Sequence, residues 1–401
     1  MKKICLTLVG IYLMMVHAFS QYRAKDTTLY ESKPLKIEEV NLVSSYYTQD
    51  GNHSPVTGGI GTEKVTDLAN GLEVKWVGYN DMNHKRTLTA GLGIDHHTSA
   101  SSAFVNKTGA SKTGGTRIYP SLNWNVEDAT KGTGYGFGLY YSNEYNYTSI
   151  GVDAEVSKKT NNNGEFSAKV SGYFDKVKLI YPSEFVQVAT VTASSRGAES
   201  KAKIPSSPRR TGTLSLSFSQ VISQRFQGSL LLDGVYQNGY LGLPFHRVYF
   251  ANGKSNIENL PSTRYKLPFG FRLNYFLGDK IIFRSYYRYY ADSWGLQSNT
   301  ASLEVAVKIT PFISISPFYR YYQQTAVKYF GAYKTHTAAD QYYTSNYALA
   351  AFTSQSYGGG IRIAPPGGIF KGLNTLELRY AHYTQTTDLV SDVISIDLKL
   401  K

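Results

Sequence analysis

The chain has one cysteine, Cys5, and it lies inside the first apolar run. Downstream of it there is no disulfide to form, no thiolate nucleophile and no cysteine metal ligand. Long hydrophobic runs are equally scarce. Beyond residue 20 no stretch approaches the roughly eighteen apolar residues of a spanning helix, so helices do not hold this chain in a membrane. Charge is sparse as well, at 18% of residues. No G-x-S-x-G, H-E-x-x-H or G-x-x-x-x-G-K-[ST] occurs, which leaves no catalytic motif and no cofactor site to name. The expectation is a protein that is not an enzyme and carries no cofactor.

The formal net charge is +13, of which Lys2 and Lys3 belong to the leader. The remaining basic residues are spread among many short segments, which argues against a nucleic-acid partner. Lys2 and Lys3 precede the run ICLTLVGIYLMMV, and Ala18 and Ser20 occupy the small-residue positions ahead of a cut before Gln21. Residues 1–20 therefore read as a cleaved signal peptide, and with Gln21 following the cut no cysteine is available for lipid attachment.

What is abundant is tyrosine (34), glycine (36) and phenylalanine (19). From about residue 40 apolar and polar residues alternate with a period of two, broken by turn residues, and no long stretch keeps a helical period. Tyr135, Phe137, Leu139 and Tyr141 alternate with Gly134, Gly136, Gly138 and Tyr140, and the turn NNNG at 161–164 opens Phe166, Ala168 and Val170. Tyr265, Leu267, Phe269, Phe271, Leu273 and Tyr275 place aromatics at both ends of an aliphatic face, the pattern of an interfacial girdle. At the end of the chain, Ile394, Ile396, Leu398 and Leu400 oppose Ser395, Asp397 and Lys399.

Counted this way, the chain is all-β, a single transmembrane antiparallel up-and-down β-barrel of about sixteen strands (roughly 14–18) from 40–48 to 392–401. Residues 21–39 read as a polar periplasmic lead and 40–401 as the barrel. The longest connections, 177–211, 239–264 and 324–354, belong outside, with short turns such as 277–279 in the periplasm. A secreted sandwich is the alternative, with its apolar faces buried against each other. The final Leu400-Lys401 lacks the terminal aromatic common in such barrels, so a less typical assembly signal is expected.

If the aliphatic face meets lipid, the opposite face is luminal, and arginine recurs there: Arg272, Arg284, Arg288, Arg320, Arg362 and Arg379, with Tyr286 and Tyr290 on the same faces. Glu304 and Glu377 are acids on those faces. Two readings stand. The charges interlock and fill the barrel, or they form a basic wall that attracts anions. The histidines His84, His96 and His97, with Asp95 and His53, are the only cluster with catalytic or metal-binding composition, and adjacent strand residues diverge to opposite faces.

The stretches YYTQDGNHSPVTGGIGTE (46–63), LIYPSEF (179–185), HRVYF (246–250), ENLPSTR (258–264), SNTASLE (298–304) and DQYYTSNY (340–347) resemble those of an uncharacterised family of exported bacterial proteins, a domain of unknown function expected to form outer-membrane β-barrels. The resemblance covers almost the whole chain after the leader and implies no reaction. It implies a place in the outer membrane of a Gram-negative bacterium, insertion by the barrel-assembly machinery, and a role beside periplasmic redox chemistry, because members are encoded near thioredoxin-like and flavin-attaching proteins. Read physically, Gly51, Gly58, Gly59 and Gly61 shape a turn, and Asn52, His53, Thr57 and Glu63 either brace that turn or line a pocket at one barrel mouth. Glu258, Asn259 and Arg264 stand on similar terms. The functional expectation is porin-like passage of small solutes, with anions favoured, or support of a periplasmic system; the alternatives are a barrel enzyme or a secreted binding sandwich.

Overall fold

The computed structural model describes residues 32–98, 114–185 and 204–400. The signal peptide expected at 1–20 lies outside the described residues.

Every long alternating run forms a strand. In chain order these are β1 (Lys33–Asp50), β2 (Val65–Tyr79), β3 (Lys85–His97), β4 (Gly115–Asp128), β5 (Thr133–Glu144), β6 (Tyr147–Lys159), β7 (Gly164–Lys178), β8 (Ser206–Ser223) and β9 (Phe226–Gly239). A small hairpin of β10 (Arg247–Tyr249) and β11 (Ser255–Ile257) interrupts the series. The wall resumes with β12 (Thr263–Leu277), β13 (Ile281–Asp292), β14 (Gln297–Lys308), β15 (Ile313–Ile315), β16 (Phe318–Gln324), β17 (Phe352–Ile363), β18 (Leu373–Gln385) and β19 (Leu389–Leu400).

Each wall strand pairs antiparallel with its neighbours, and β19 returns to β1 from Val40 opposite Leu400 to Asp50 opposite Val390. β15 and β16 both lie between β14 and β17 and form one broken stave. The sheet is therefore a closed barrel of sixteen staves, and the sandwich alternative is excluded. The break falls at Pro317, which has no N–H to give; its carbonyl still accepts from Val305 N at 3.0 Å, and Ser316 and Gly360 exchange bonds of 2.8 and 3.1 Å.

Closure fixes the faces. Tyr265, Leu267, Phe269 and Tyr275 are exposed on the outside, as are Leu214, Leu232, Leu303, Ile361, Leu378 and Ile394 on other staves. An exterior this apolar all round a closed barrel is the surface of a protein whose solvent is lipid. No helix among the described residues is long and apolar enough to cross a membrane, so the strands do the crossing.

One boundary differs from the expectation. The first strand begins at Lys33, inside the stretch assigned to a polar lead. Register shifts between Lys33 and Lys36 and between Ile37 and Glu39 disrupt the alternation there, which hides the strand from a period-two reading.

All long connections (51–64, 98–114, 179–205, 240–262 and 325–351) leave the same end of the barrel, and the longest at the other end is 364–372. Replacing Leu303 by Arg in the middle of the outer face is expected to cost about 2–4 kcal/mol, and Ser302→Arg on the luminal face under about 1 kcal/mol. Urea unfolding in phospholipid vesicles measures both; equal losses would contradict this assignment of faces.

Candidate functional site

Two regions contain the sequence candidates, the luminal wall and a bridge of loops across the long-loop mouth.

On the wall, β12 to β18 present Arg264, Lys266, Arg272, Arg284, Arg288, Lys308, Arg320, Arg362 and Arg379 inward against Asp292, Glu304 and Glu377. The other side is weighted oppositely. Strands β3 to β9 present Asp95, Glu127, Glu144, Asp153, Glu155, Glu165, Asp175 and Asp233 inward against Lys85, Arg117, Lys159, Lys169 and Arg209. The lumen thus has a basic side and an acidic side.

Part of the basic side is neutralised. Arg284 sits opposite Glu304 in register and holds its Oε1 at 2.7 Å. Arg379 reaches Glu304 Oε2 at 2.6 Å and Glu377 Oε1 at 3.0 Å. Arg362 also faces Glu377 across β17 and β18, but that carboxylate is occupied by Arg379. Among the described residues, Arg272, Arg288, Arg320 and Arg362 have no carboxylate within 4.0 Å; Arg272 lies over the Tyr286 ring at 5.6 Å. The arginines therefore divide into an interlocked group at β13, β14 and β18 and guanidiniums without a carboxylate partner beside it. Tyr290 belongs to neither group, because its hydroxyl donates to Asp292 at 2.7 Å.

The mouth is crossed by loops. Segment 51–64 joins the first and second staves, and 240–262 joins the ninth and tenth, which lie diametrically opposite in a ring of sixteen. They nevertheless touch. Arg247 Nη1 donates to Val56 O at 2.8 Å, and a Cβ on Gly58 would stand 2.5 Å from the Tyr249 ring. With φ at +81° and that ring against it, Gly58 is required twice over. Arg247 also holds Glu184 from the 179–205 connection through Nε and Nη2. Segment 325–351 completes the bridge, since His53 stacks on Tyr347 with centroids 3.7 Å apart and planes 11° apart.

The remaining mouth candidates brace this bridge. His53 Nδ1 is 2.9 Å from Gly59 O, and the Thr57 hydroxyl donates to Ser54 O at 3.2 Å and to Ile60 O. Glu63 packs on Gly51 and donates its N–H to Gly51 O at 2.8 Å. Asn52 is exposed and takes no part. Glu258, with a side chain 2% exposed, accepts from Leu243 N at 2.7 Å and from the Thr344 hydroxyl at 2.5 Å. Asn259 exchanges backbone bonds with Tyr343 at 3.1 and 2.8 Å and donates Nδ2 to Gln341 O at 2.7 Å. Arg264 lies at the rim, its guanidinium on Asp292 and 4.2 Å from the Trp294 ring. Val248, Phe250 and Tyr343 form the bridge's own small core.

The histidine cluster disperses. His84 pairs with Asp128 and His97 with Glu144, each at 3.4 Å, while His96 meets Thr116 at 2.9 Å. No metal-holding group of three His, Cys, Asp or Glu occurs among the described residues. Sequence reasoning missed Arg247, Glu184 and Asp292. The stretches HRVYF and LIYPSEF contained the first two, but their pairing spans 63 residues and no local pattern announces it.

Burial pushes the Glu63 carboxyl above its ordinary value, with the nearby His53 opposing the shift. The neutral acid thus suits the folded bridge better than the carboxylate. Its stabilisation is complete below the ordinary glutamate range and is lost as pH rises through the raised value. Amide exchange of segment 51–64 should accelerate over that window beyond the intrinsic pH effect in the wild type, and Glu63→Gln should abolish the excess. An excess that persists in the variant would assign it to another group.

No curated protein matches this sequence. Among solved structures, the chain is similar to a BenF-like porin from Pseudomonas fluorescens Pf-5 (8% identity, TM-score 0.42, 93% of this chain and 100% of that one). It is also similar to OpdQ of Pseudomonas aeruginosa (12%, TM-score 0.40, 90% and 97%) and to a bacterial polysaccharide outer membrane secretin (9%, TM-score 0.43, 90% and 98%). A family model matches residues 86–393, which takes in the wall from β3 to β18 with the first part of β19, and every bridging segment except 51–64. The chain belongs to the family described as Protein of unknown function (DUF3570).

Proposed function

We propose that this protein is a porin-like conduit in the outer membrane of a Gram-negative bacterium, exported with its leader removed, which passes small solutes with a preference for anions. The observation that carries the reading is the set of guanidiniums on Arg288, Arg320 and Arg362, which face the lumen with no carboxylate within 4.0 Å among the described residues. Barrels of sixteen strands leave room for water along their axis. Unpaired fixed charge in such a lumen sets the local potential and draws ions of the opposite sign. The opposite wall answers less strongly than its acids suggest, because Asp153 is held by Lys169 at 2.9 Å and Asp175 by Arg209 at 2.8 Å.

The loop bridge gives the conduit a gate. Arg247 links segments from three parts of the ring, so its loss frees two connections at once. The reading assigns no catalysis and no cofactor. Its partners are outer-membrane lipid, the barrel-assembly machinery and the solute. The family resemblance adds a periplasmic redox-related protein at the short-turn end.

Planar-bilayer recording of the refolded protein in a salt gradient tests this. The wild type should pass an anion-preferring current, and Arg288→Ala combined with Arg320→Ala should move the reversal potential toward zero. Arg247→Ala should raise the open fraction several-fold while keeping the selectivity. Folded protein that passes no current, in the wild type and in Arg247→Ala alike, would mean that the barrel is plugged and not a conduit.

A further inference from the structure

A cavity of about 380 Å³ opens on the luminal wall between β6 and β13, where the acidic and basic sides of the barrel meet. Its acidic edge is Glu155 and Asp233, and its basic edge is Arg272 and Arg288. Register places these groups. Glu155 faces Lys169, Lys169 faces Ser215, and Ser215 faces Asp233 across successive strands. One two-residue step toward the short-turn end, Ser217 faces Leu231, Leu231 faces Gly270, and Gly270 faces Arg288. Arg272 is one step lower still, beside Tyr286.

The four charges do not satisfy one another. Among the described residues, Glu155, Asp233, Arg272 and Arg288 form no ion pair with any group, although carboxylates and guanidiniums line the same space. Lys169, which also lines it, is already held by Asp153 at 2.9 Å. Between the edges the floor is made of Ser167, Ser215, Ser217 and Gly270 together with Leu231 and Pro268, none of them charged. Ser167 and Ser217 are tied hydroxyl to hydroxyl at 2.7 Å, and Gly270 puts nothing beside Arg288. Asp233 and Arg288 are separated by two strand spacings and one such step, about 12 Å between backbones on ordinary strand spacing. The ring of Tyr286 under Arg272 holds that guanidinium at the basic edge.

Unpaired charges of opposite sign on two edges of one cavity ask for a solute that carries both signs. A simple anion would satisfy the guanidiniums but meet the carboxylates, and a simple cation would meet the reverse conflict, so each is penalised where a zwitterion is not. We propose that this cavity binds a zwitterionic solute, such as an α-amino acid or a short peptide, with the solute's anionic group on Arg272 and Arg288 and its ammonium group on Glu155 and Asp233. The proposal adds a zwitterion site to the conduit described above, whose anion preference also has Arg320 and Arg362 outside this cavity, and rests on that reading only for how the solute arrives.

The test is calorimetric titration of the refolded full-length protein in micelles with glycine, and with acetate and methylammonium as single-charge probes. Glycine should bind saturably and about tenfold or more tighter than either single-charge probe, the loss expected when one charge-assisted contact is missing. Arg288→Gln and Asp233→Asn should each lower glycine affinity by about tenfold. Arg272→Gln serves as a second basic-edge variant, and heat-modifiable migration on a gel confirms that each variant is folded. Acetate binding as tightly as glycine, or glycine affinity unchanged in folded variants of both edges, would overturn the proposal. Glycine binding by a protein that passes no current would remove the conduit and keep the site; current with no glycine binding would do the reverse.

Discussion

The ladder between β1 and β19 is the constraint on which the rest depends. In hydrocarbon an unpaired N–H or C=O costs several kcal/mol, so a sheet that crosses a membrane cannot keep an edge. Pairing from Val40 with Leu400 to Asp50 with Val390 removes both edges at once. Closure then dictates which residues are wet. With one face of every stave committed to lipid, residue parity alone sends Arg284, Glu304, Arg320 and Arg379 inward and Phe283, Leu303, Tyr319 and Leu378 outward. Pro317 shows how local the tolerance is. It breaks one stave into β15 and β16, yet its neighbours continue the ladder on both sides.

The bridge obeys a different rule, because it spans water and only the polar groups it buries must be satisfied from its own residues. It does so with buried carboxylates. The Asp292 side chain, 0% exposed, collects Trp294 N, Leu296 N, the Tyr290 hydroxyl and the Arg264 guanidinium, which ties the β13–β14 turn to the start of β12. Glu258 does the same between 240–262 and 325–351 through Leu243 N and the Thr344 hydroxyl. Charge-assisted bonds of this kind are strong and directional, and they fix the arrangement of segments that also share two apolar clusters, one around Val248, Phe250 and Tyr343 and one around Trp294, Leu296 and Val327.

How much of this could be read from the sequence follows from the range of each interaction. Alternation is local, so the strands, the girdle at Tyr265 and Tyr275 and the sides taken by the long loops were legible. Lys33–Glu39 was not, because two register shifts scramble its period. The luminal arginines could be assigned to a face, but which of them are paired depends on register across strands. Glu304 meets Arg284 on the next strand and Arg379 from 75 residues away, and that choice leaves Arg362 unpaired although Glu377 faces it. The loop stretches drew attention through the family resemblance, which says nothing of which of them meet. That Val56, Glu184 and Arg247 come together is a consequence of ring closure, which brings the ninth and tenth staves opposite the first and second.

Charge in the lumen is sorted by position around the ring more than by total. A count of basic and acidic residues suggests general attraction of anions, whereas the registers separate a basic side on β12 to β18 from an acidic side on β3 to β9. Such a division produces a field across the lumen as well as along it, and a transverse field acts on a solute's dipole and not only on its net charge. At the seam where the sides meet, Asp233 and Arg288 stand two strand spacings and one two-residue step apart and form no ion pair among the described residues, so charges of opposite sign remain directed at the lumen. Discrimination at that seam then depends on whether one solute can meet both signs together, which net charge alone does not determine.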